Sequence, residues 1–589
     1  MFNRFFKCVP ILSIIFYTIS SNAYYVDNDK QSSLSFTNIS DHFDFVRKNG
    51  PNAYGPSGMQ GIGGVALLDY DNDGDLDIYF SNGAGFDNAL YRNNGDATFV
   101  NVTQAAGVAN SKGTSGVLAG DIDNDGYTDL FLVGNPGIMV PSLASAPVLY
   151  HNKGDGTFED ITLAAGITAA DQNGNPIPLR AVLGAAMADA DKDGDLDIFI
   201  TNPGGVLPDA DGKFFRNNGD MTFTEIAQEA GLAGNTGACT TAFSDYDGDG
   251  DSDLFVANCG LVEPSDSPLG FDPVLTPISL YRNDGNLKFT DVTESSGLGA
   301  ELGLWMSFSF ADFNRDGNLD FFSTNFGIDV GAFPFPFVNP HGLFMNNGNG
   351  TFTNVSNEAG VADYEFGWGS SATDFDNDGF ADIFFTGSFA VPPLNIGGQG
   401  KGNPGRLFLN DNSRFYKPNT FTQVTSGGDD IGFDMQNDFP SGVAYGDLNN
   451  DGFQDIVVLR QEVAPMSIGK PLVVLNNGNN NHWIGFDLEG VQSNSKGVGA
   501  RLTVKARGQC QSQEIHAGSS FASTDTKRAH FGLGKVRKIR KVLVEWPSGL
   551  NEVFSWGYRW ADRSYTLKEG DGYRLRKRQT RRFKRCYNR

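Results

Sequence analysis

The chain has 589 residues, 40% of them hydrophobic and 12% aromatic, and a formal charge of −26 at pH 7. Its length accommodates several domains or one large repeat array, and so acidic a body argues against nucleic acid as a partner. The five cysteines show no C-x-x-C spacing, which leaves neither a zinc nor a redox motif.

Residues 1–23 read as a secretory signal. Arg4 and Lys7 form a positive start, Val9 to Ile19 an apolar core, and Ser21-Asn22-Ala23 a small-residue cleavage site. The apolar run is too short to span a bilayer comfortably, and no other stretch is long and apolar enough. The expectation is a mature chain without a transmembrane segment, secreted or held at the cell surface or in the periplasm.

Residues 24–480 alternate two motifs. The first is a nine-residue run, D-x-[DN]-x-D-G-x-x-D, that occurs seven times. Oxygen donors at positions 1, 3, 5 and 9, a carbonyl at position 7 and a glycine at position 6 suit Ca2+, a hard cation that takes six to eight oxygens. The first loop offers Asp69, Asp71, Asp73, Asp75 and Asp77, the second Asp121, Asp123, Asp125, Tyr127 and Asp129. The third offers Asp189, Asp191, Asp193, Asp195 and Asp197, the fourth Asp245, Asp247, Asp249, Asp251 and Asp253. Then come Asp312, Asn314, Asp316, Asn318 and Asp320, followed by Asp374, Asp376, Asp378, Phe380 and Asp382. The seventh set is Asp447, Asn449, Asp451, Phe453 and Asp455. Up to seven calcium ions follow.

An EF-hand needs a bidentate Glu at position 12. Here that place holds Phe80, Leu132, Ile200, Val256, Ser323, Phe385 or Val458. The loops instead exit into short β-branched and aromatic runs such as Asp77-Ile78-Tyr79-Phe80, so each joins two strands. The loops hold 29 Asp against Lys192 and Arg315 as the only cations, so without metal the fold would carry clustered like charges.

The second motif is a hairpin typified by Leu90-Tyr91-Arg92-Asn93-Asn94-Gly95-Asp96-Ala97-Thr98-Phe99, running on to Ala106-Gly107-Val108. It recurs at 149–167, 214–232, 280–298 and 343–361, and in stretched form at 407–428. Four strands per unit, at spacings of 52 to 73 residues, indicate a seven-bladed β-propeller. Ser35 to Ser40 matches the second half of the hairpin and Pro471 to Gly478 the first, so the two ends should complete one blade.

Strand alternation puts the Asp-rich loops and the Asn-Gly turns on one face. The opposite face receives the long inserts 134–147, 260–279, 327–342 and 387–406, two of them rich in Phe and Pro. These inserts are expected to pack on their own blades or on the C-terminal domain, or to form a partner patch. Cys239 lies six residues before Asp245 and Cys259 six after Asp253, which predicts a disulfide across the fourth hairpin. Cys510 and Cys586 remain open.

The loops and hairpins resemble the FG-GAP/VCBS repeats of integrin α-subunit propellers. That resemblance implies structural metals on the face opposite a ligand. From Asn481 the repeat stops, and candidate strands at 483–488, 500–506, 513–516, 529–533, 542–546 and 553–556 suggest a small β-sandwich-like domain. Asn481-His482-Trp483, Lys496-Gly497-Val498-Gly499-Ala500-Arg501, His530-Phe531-Gly532-Leu533-Gly534 and Val544-Glu545-Trp546-Pro547-Ser548-Gly549 resemble the ASPIC/UnbV domain, here 481–567. Propeller and domain in this order resemble the cartilage acidic protein family. Residues 568–589 are read as a basic, unstructured tail.

Six histidines, His42, His151, His341, His482, His516 and His530, fall in no H-E-x-x-H arrangement, and G-x-S-x-G, P-loop and dinucleotide motifs are absent. The reading is therefore a non-enzymatic binding or adhesion module with no catalytic residue and no organic cofactor. It would take a protein or glycan at the face opposite the calcium loops. The alternative is an extracellular enzyme with a site between propeller and C-terminal domain.

Overall fold

The computed structural model describes residues 34–48, 63–134, 145–170, 176–179, 182–201, 212–234, 237–259, 261–264, 271–325, 327–328, 338–364, 366–387, 405–411, 420–424, 440–460, 462–463, 467–506, 509–521, 523–576, 579–580 and 583. The signal segment lies outside them, as do most of the long inserts. With 44% strand and 5% helix the chain is all-β.

Seven four-stranded antiparallel sheets follow one another along the chain. In the first, Val65–Leu68, Asp77–Phe80, Ala89–Asn93 and Phe99–Asn101 pair in sequence order. Five more repeat that order, beginning at Thr114, Ala185, Ala238, Ser309 and Ser370. The seventh takes Pro440–Gly446, Asp455–Arg460 and Leu472–Asn476, then Phe36–Asn38 as its fourth strand, with Phe36 opposite Asn476. The two half-hairpins thus complete one sheet, and its last edge is paired.

The inner strands are buried on both faces, so the core lies between sheets rather than in one centre. Ala66, Tyr79 and Leu90 of the first sheet meet Val117, Leu130 and Leu132 of the second. Equivalent clusters join each later pair, and Val65, Leu67 and Phe80 pack on Ala444, Val457 and Leu459, returning the seventh sheet to the first.

Three of the hairpins run on into a detail that the pattern did not predict. Thr103–Ala106, Ala227–Ala230 and Ser356–Ala359 each form one helical turn. The glycines that follow, Gly107, Gly231 and Gly360, end it with φ of 76°, 84° and 77°, a left-handed cap that a Cβ would oppose. Cys239 and Cys259 are disulfide-bonded, with Cα atoms 5.5 Å apart where the pairing shifts register between Ala238 and Thr240. Cys510 is also disulfide-bonded.

The remaining residues build two sheets. One orders Ala529–Gly534, His482–Glu489 and Ser564–Lys568, the last pair parallel. The other orders Gln509–Glu514, Arg501–Ala506, Lys538–Glu545, Asn551–Trp560 and Tyr573–Arg574. The strand expected at 513–516 lies four residues earlier, and two strands follow it that the hydrophobic pattern missed. The domain therefore runs past 567, and the segment read as tail begins with a paired strand.

Between Glu514 and Ala529 the chain leaves these sheets and enters the middle of the ring. Thr524 exchanges backbone hydrogen bonds with Val65 and Leu67, both 3.0 Å, and its hydroxyl donates to Val117 O at 3.2 Å. Met187 N donates to Ala517 O and Phe308 N to Ser519 O, at 3.0 and 3.2 Å. His516 Nδ1 lies 3.1 Å from Phe243 O, Thr526 N donates to Tyr445 O at 3.1 Å, and the Phe521 ring stands 5.1 Å from that of Trp368. The segment thus meets strands of five sheets, together with Phe308 and Trp368, which lead into the other two, and it supplies partners to inner backbone groups that a bare ring would leave to water.

Candidate metal centres

The seven Asp-rich loops share one geometry. Position 4 is left-handed in all of them, at Asn72, Asn124, Lys192, Gly248, Arg315, Asn377 and Asn450, with φ between 57° and 75°. The glycine at position 6 is left-handed too, which wraps the loop around its own carboxylates. The first aspartate accepts the glycine N–H on Oδ2 at 2.6–3.1 Å. The position-5 aspartate accepts the position-7 N–H at 2.8–3.0 Å.

The ninth residue is the most constrained. Asp77, Asp129, Asp197, Asp253, Asp320, Asp382 and Asp455 are at most 2% exposed. Each accepts two backbone N–H groups at 2.7–3.2 Å, from position 2 of its loop and from an asparagine on the third strand. A carboxylate oxygen has two lone pairs, so these bonds orient the group and leave capacity for a cation.

The donors fit a hard cation. Buried carboxylate oxygens at Asp71, Asp121, Asp189 and Asp312 have no hydrogen-bond partner. Donor oxygens of Asp69, Asp71 and Asp77, of Asp121, Asp123 and Asp125, of Asp189, Asp191 and Asp193, and of Asp245, Asp247 and Asp253 converge within 4.8 Å in each set. Burial first, and a neighbouring carboxylate of the same loop second, push Asp189, Asp312 and Asp447 up to about 7 and Asp247 to about 6. Burial raises Asp77 to about 8 and Asp121 to about 6. Such sites favour a positive charge, whether a proton or a metal. In the second loop His151 Nδ1 lies 3.3 Å from Asp129 and 3.5 Å from Asp123.

Two residue sets missed in the sequence bind the loops together. The asparagine that opens each Asn-Gly-type turn donates to the position-2 carbonyl of the preceding loop at 2.7–3.1 Å: Asn93, Asn152, Asn217, Asn283, Asn346, Asn410 and Asn476. The position-4 side chain reaches the next loop. Asn72 donates to Gly126 O, Asn124 to Gly194 O, Asn377 to Gly452 O and Asn450 to Asp75, while Lys192 pairs with Asp251. The guanidinium of Arg315 stacks on Phe380, 3.2 Å from the ring centre. Only Gly248 has no side chain to send. The signal for both sets was in the sequence as residues at fixed offsets: an asparagine in every turn, and Asn, Lys or Arg at position 4 of six of the seven loops.

The C-terminal domain covers this face. Ser495 N donates to Asn124 at 2.9 Å and Ser495 Oγ to Asp121, and His530 Nε2 lies 2.6 Å from Asn377 Oδ1. Glu514 accepts from Asp245 N at 3.3 Å, and buried Arg501 feels Asp245 and Asp312 together, on either side of the Gly248 gap. The expectation that the long inserts pack on this domain falls largely outside the described residues. A cavity of about 390 Å³ remains between the domains, lined by Leu67, Asp69, Asp487, Lys496, Lys527 and Arg528 among others.

Residues 69–132, 189–256 and 270–323 match the FG-GAP-like repeat, and residues 490–574 match the family described as ASPIC and UnbV. The chain thus carries FG-GAP-like repeats followed by a segment that matches ASPIC and UnbV. It is similar to cartilage acidic protein 1 of Xenopus tropicalis, 25% identical over 82% of this chain and 70% of that one. The Mus musculus protein of the same name matches with the same identity and coverage. Among solved structures, rhamnogalacturonan lyase YesW aligns at 14% identity over 70% of this chain and 71% of its own, with a TM-score of 0.35. The V. cholerae biofilm matrix protein Bap1 aligns at 11% identity over 90% and 64%, with a TM-score of 0.30. Among the described residues no helix is long and apolar enough to cross a membrane.

Proposed function

We propose that the seven sheets are the blades of a closed β-propeller, that its loops bind up to seven Ca2+ as structural ions, and that the chain is an exported protein- or glycan-binding module. The observation that carries this reading is the seat of the C-terminal domain. It covers the loop face and fills the middle of the ring, which leaves the opposite face, where the long inserts begin and end, for a partner. Supporting the calcium assignment are the partnerless buried carboxylate oxygens and the raised acidities of the loops. Disulfides at Cys239–Cys259 and Cys510 support export to an oxidising compartment. The test is a pull-down from native surroundings with and without calcium chelator, alongside calcium titration. Calcium-dependent capture and several bound equivalents support the module; no bound calcium and no capture at any calcium level overturn it.

A second reading, an extracellular enzyme, is favoured by the cavity between the domains. There the ammonium of Lys527 has no hydrogen-bond partner, and burial pushes it down to about 8. Such a lysine suits proton abstraction. Turnover of a polysaccharide and ester panel that Lys527→Ala abolishes would establish it; a panel without turnover removes it.

A further inference from the structure

We propose that the outer surface of the C-terminal domain, where Lys538–Glu545 pairs with Asn551–Trp560, binds an acidic polysaccharide, a linear glycan whose sugars carry carboxylate or sulfate groups. This surface is separate from the propeller face proposed above and rests only on the chain being exported.

Three observations meet here. The first is exposure. Among the described residues the exposed large aromatics are Tyr558, Trp560 and Tyr573, at 51%, 52% and 71%, all in this domain. Tyr558 and Trp560 are two apart on one strand, so they stand on the same side of the sheet.

The second is charge. In a chain of net −26, the run Lys535 to Lys541 holds five cations and no acid. Arg537, Lys538, Arg540 and Lys541 are exposed.

The third is their arrangement. Lys538 lies opposite Trp560 across the strand pair, its ammonium 3.8 Å from the ring centre, and Arg540 lies 4.9 Å from the Tyr558 ring and donates to its hydroxyl at 2.6 Å. The cations are thereby held along a row of rings.

A row of flat apolar surfaces edged by fixed cations suits a thin polymer with an apolar ring face and anionic substituents. Arginine pairs with carboxylate or sulfate in a fork, and the ring stacks on the sugar. Single-stranded nucleic acid shares part of this chemistry. The disulfides argue instead for a compartment in which acidic glycans are the polyanions at hand.

The test is retention of the full, calcium-loaded chain on immobilised heparin, hyaluronate and neutral dextran, with poly(dT) and anionic vesicles as comparison ligands. Variants are Trp560→Ala, the double variant Lys538→Ala/Arg540→Ala, and a tail variant in which Lys577, Arg578, Arg581, Arg582, Lys584 and Arg585 are each changed to Ser, which keeps Cys586. All are checked for an unchanged melting midpoint. The expectation is salt-sensitive retention on heparin, hyaluronate or both and none on dextran. Affinity should fall about tenfold in Trp560→Ala and more in the double variant, with the tail variant still binding. Heparin against hyaluronate tells sulfate from carboxylate. No retention, retention untouched by the patch variants, retention lost with the basic end alone, or preference for poly(dT) or vesicles overturns the proposal. Because the readout is this patch, loss of binding here with calcium-dependent partner capture intact separates its failure from that of the propeller-face reading.

Discussion

Asn152 on the second sheet donates one side-chain amide to Tyr70 O of the first loop at 2.8 Å and to Thr128 O of its own loop at 3.1 Å. It is fully buried, and its carbonyl accepts from Gly154 N at 3.1 Å. One residue thus fastens a turn, its own loop and its neighbour's. Asn152→Asp keeps the shape but removes both donated bonds. Leaving two buried carbonyls unpaired should cost about 2 kcal/mol or more. The expected result is a clear fall in denaturation midpoint with calcium present; an unchanged midpoint would show that the asparagine ring carries no load.

Calcium should stabilise site by site. Asp193 orients its loop by accepting Asp195 N at 2.9 Å. Asp193→Ala should remove one bound equivalent in calcium titration and loosen the third sheet without unfolding the rest. A site at hundredfold excess of ion over its dissociation constant contributes about 2.7 kcal/mol. Chelator should lower the melting midpoint of the native chain by more than the single substitution does. Equal midpoints with and without chelator would remove the structural role of the metal.

The central segment makes the two domains one folding unit. Phe521 is fully buried among Leu183, Leu304, Met306, Phe366 and Trp368. Phe521→Ala should cost about 3–5 kcal/mol. A chain ending at residue 480 would strip partners from the amides of Leu67, Met187 and Phe308. Those amides should then exchange with solvent far faster than in the full chain, as read by hydrogen exchange. Protection equal to that of the full chain would show that the ring closes unaided.

These results also mark what the sequence could disclose. The Asp-rich repeat, the half-hairpins at Ser35 and Pro471 and the Cys239–Cys259 spacing are local patterns, and local patterns survive in a string. The asparagines at 93 and 152 were visible as turn residues, but their cross-sheet bonds join residues 355 and 82 positions apart, which no local period encodes. The path of Ile515 to Arg528 through the ring was hidden for the same reason. Its residues are mostly small and polar, as loop residues are, and the other sheets' backbone edges, with the apolar cluster around Phe521, give them their role. The strands Ser564–Lys568 and Tyr573–Arg574 were missed because they are only five and two residues long and pair with segments distant in sequence, Lys568 with Glu489 and Tyr573 with Val553.

His530 should make the joint between domains sensitive to acid. It is 7% exposed, and burial pushes its imidazole down to about 3. The unfolded chain, near the ordinary value of about 6.5, binds a proton that the folded chain refuses, so this histidine's contribution is full above about pH 6.5 and is lost as pH falls toward the folded value. His530→Gln keeps a donor toward Asn377 and does not titrate. The stability of the native chain relative to this variant should fall by about 2 kcal/mol between pH 7 and pH 5. Parallel pH profiles for the two would place the acid sensitivity elsewhere.

The ring of loop-to-loop contacts is open at Gly248, and that opening is testable by closing it. The glycine has φ of 75°, close to the 57° and 58° at which Asn72, Asn124, Asn377 and Asn450 sit, and a Cβ there meets nothing within 4 Å. Asparagine tolerates this conformation better than other side chains. Gly248→Asn also narrows the unfolded ensemble, worth about 0.4–1 kcal/mol where the native backbone accepts the new residue. The expected outcome is a chain more stable by about that amount, with calcium binding at the fourth and fifth loops retained. If the fourth loop loses its ion instead, Arg501 needs the space that the glycine leaves, and the opening exists to seat the C-terminal domain.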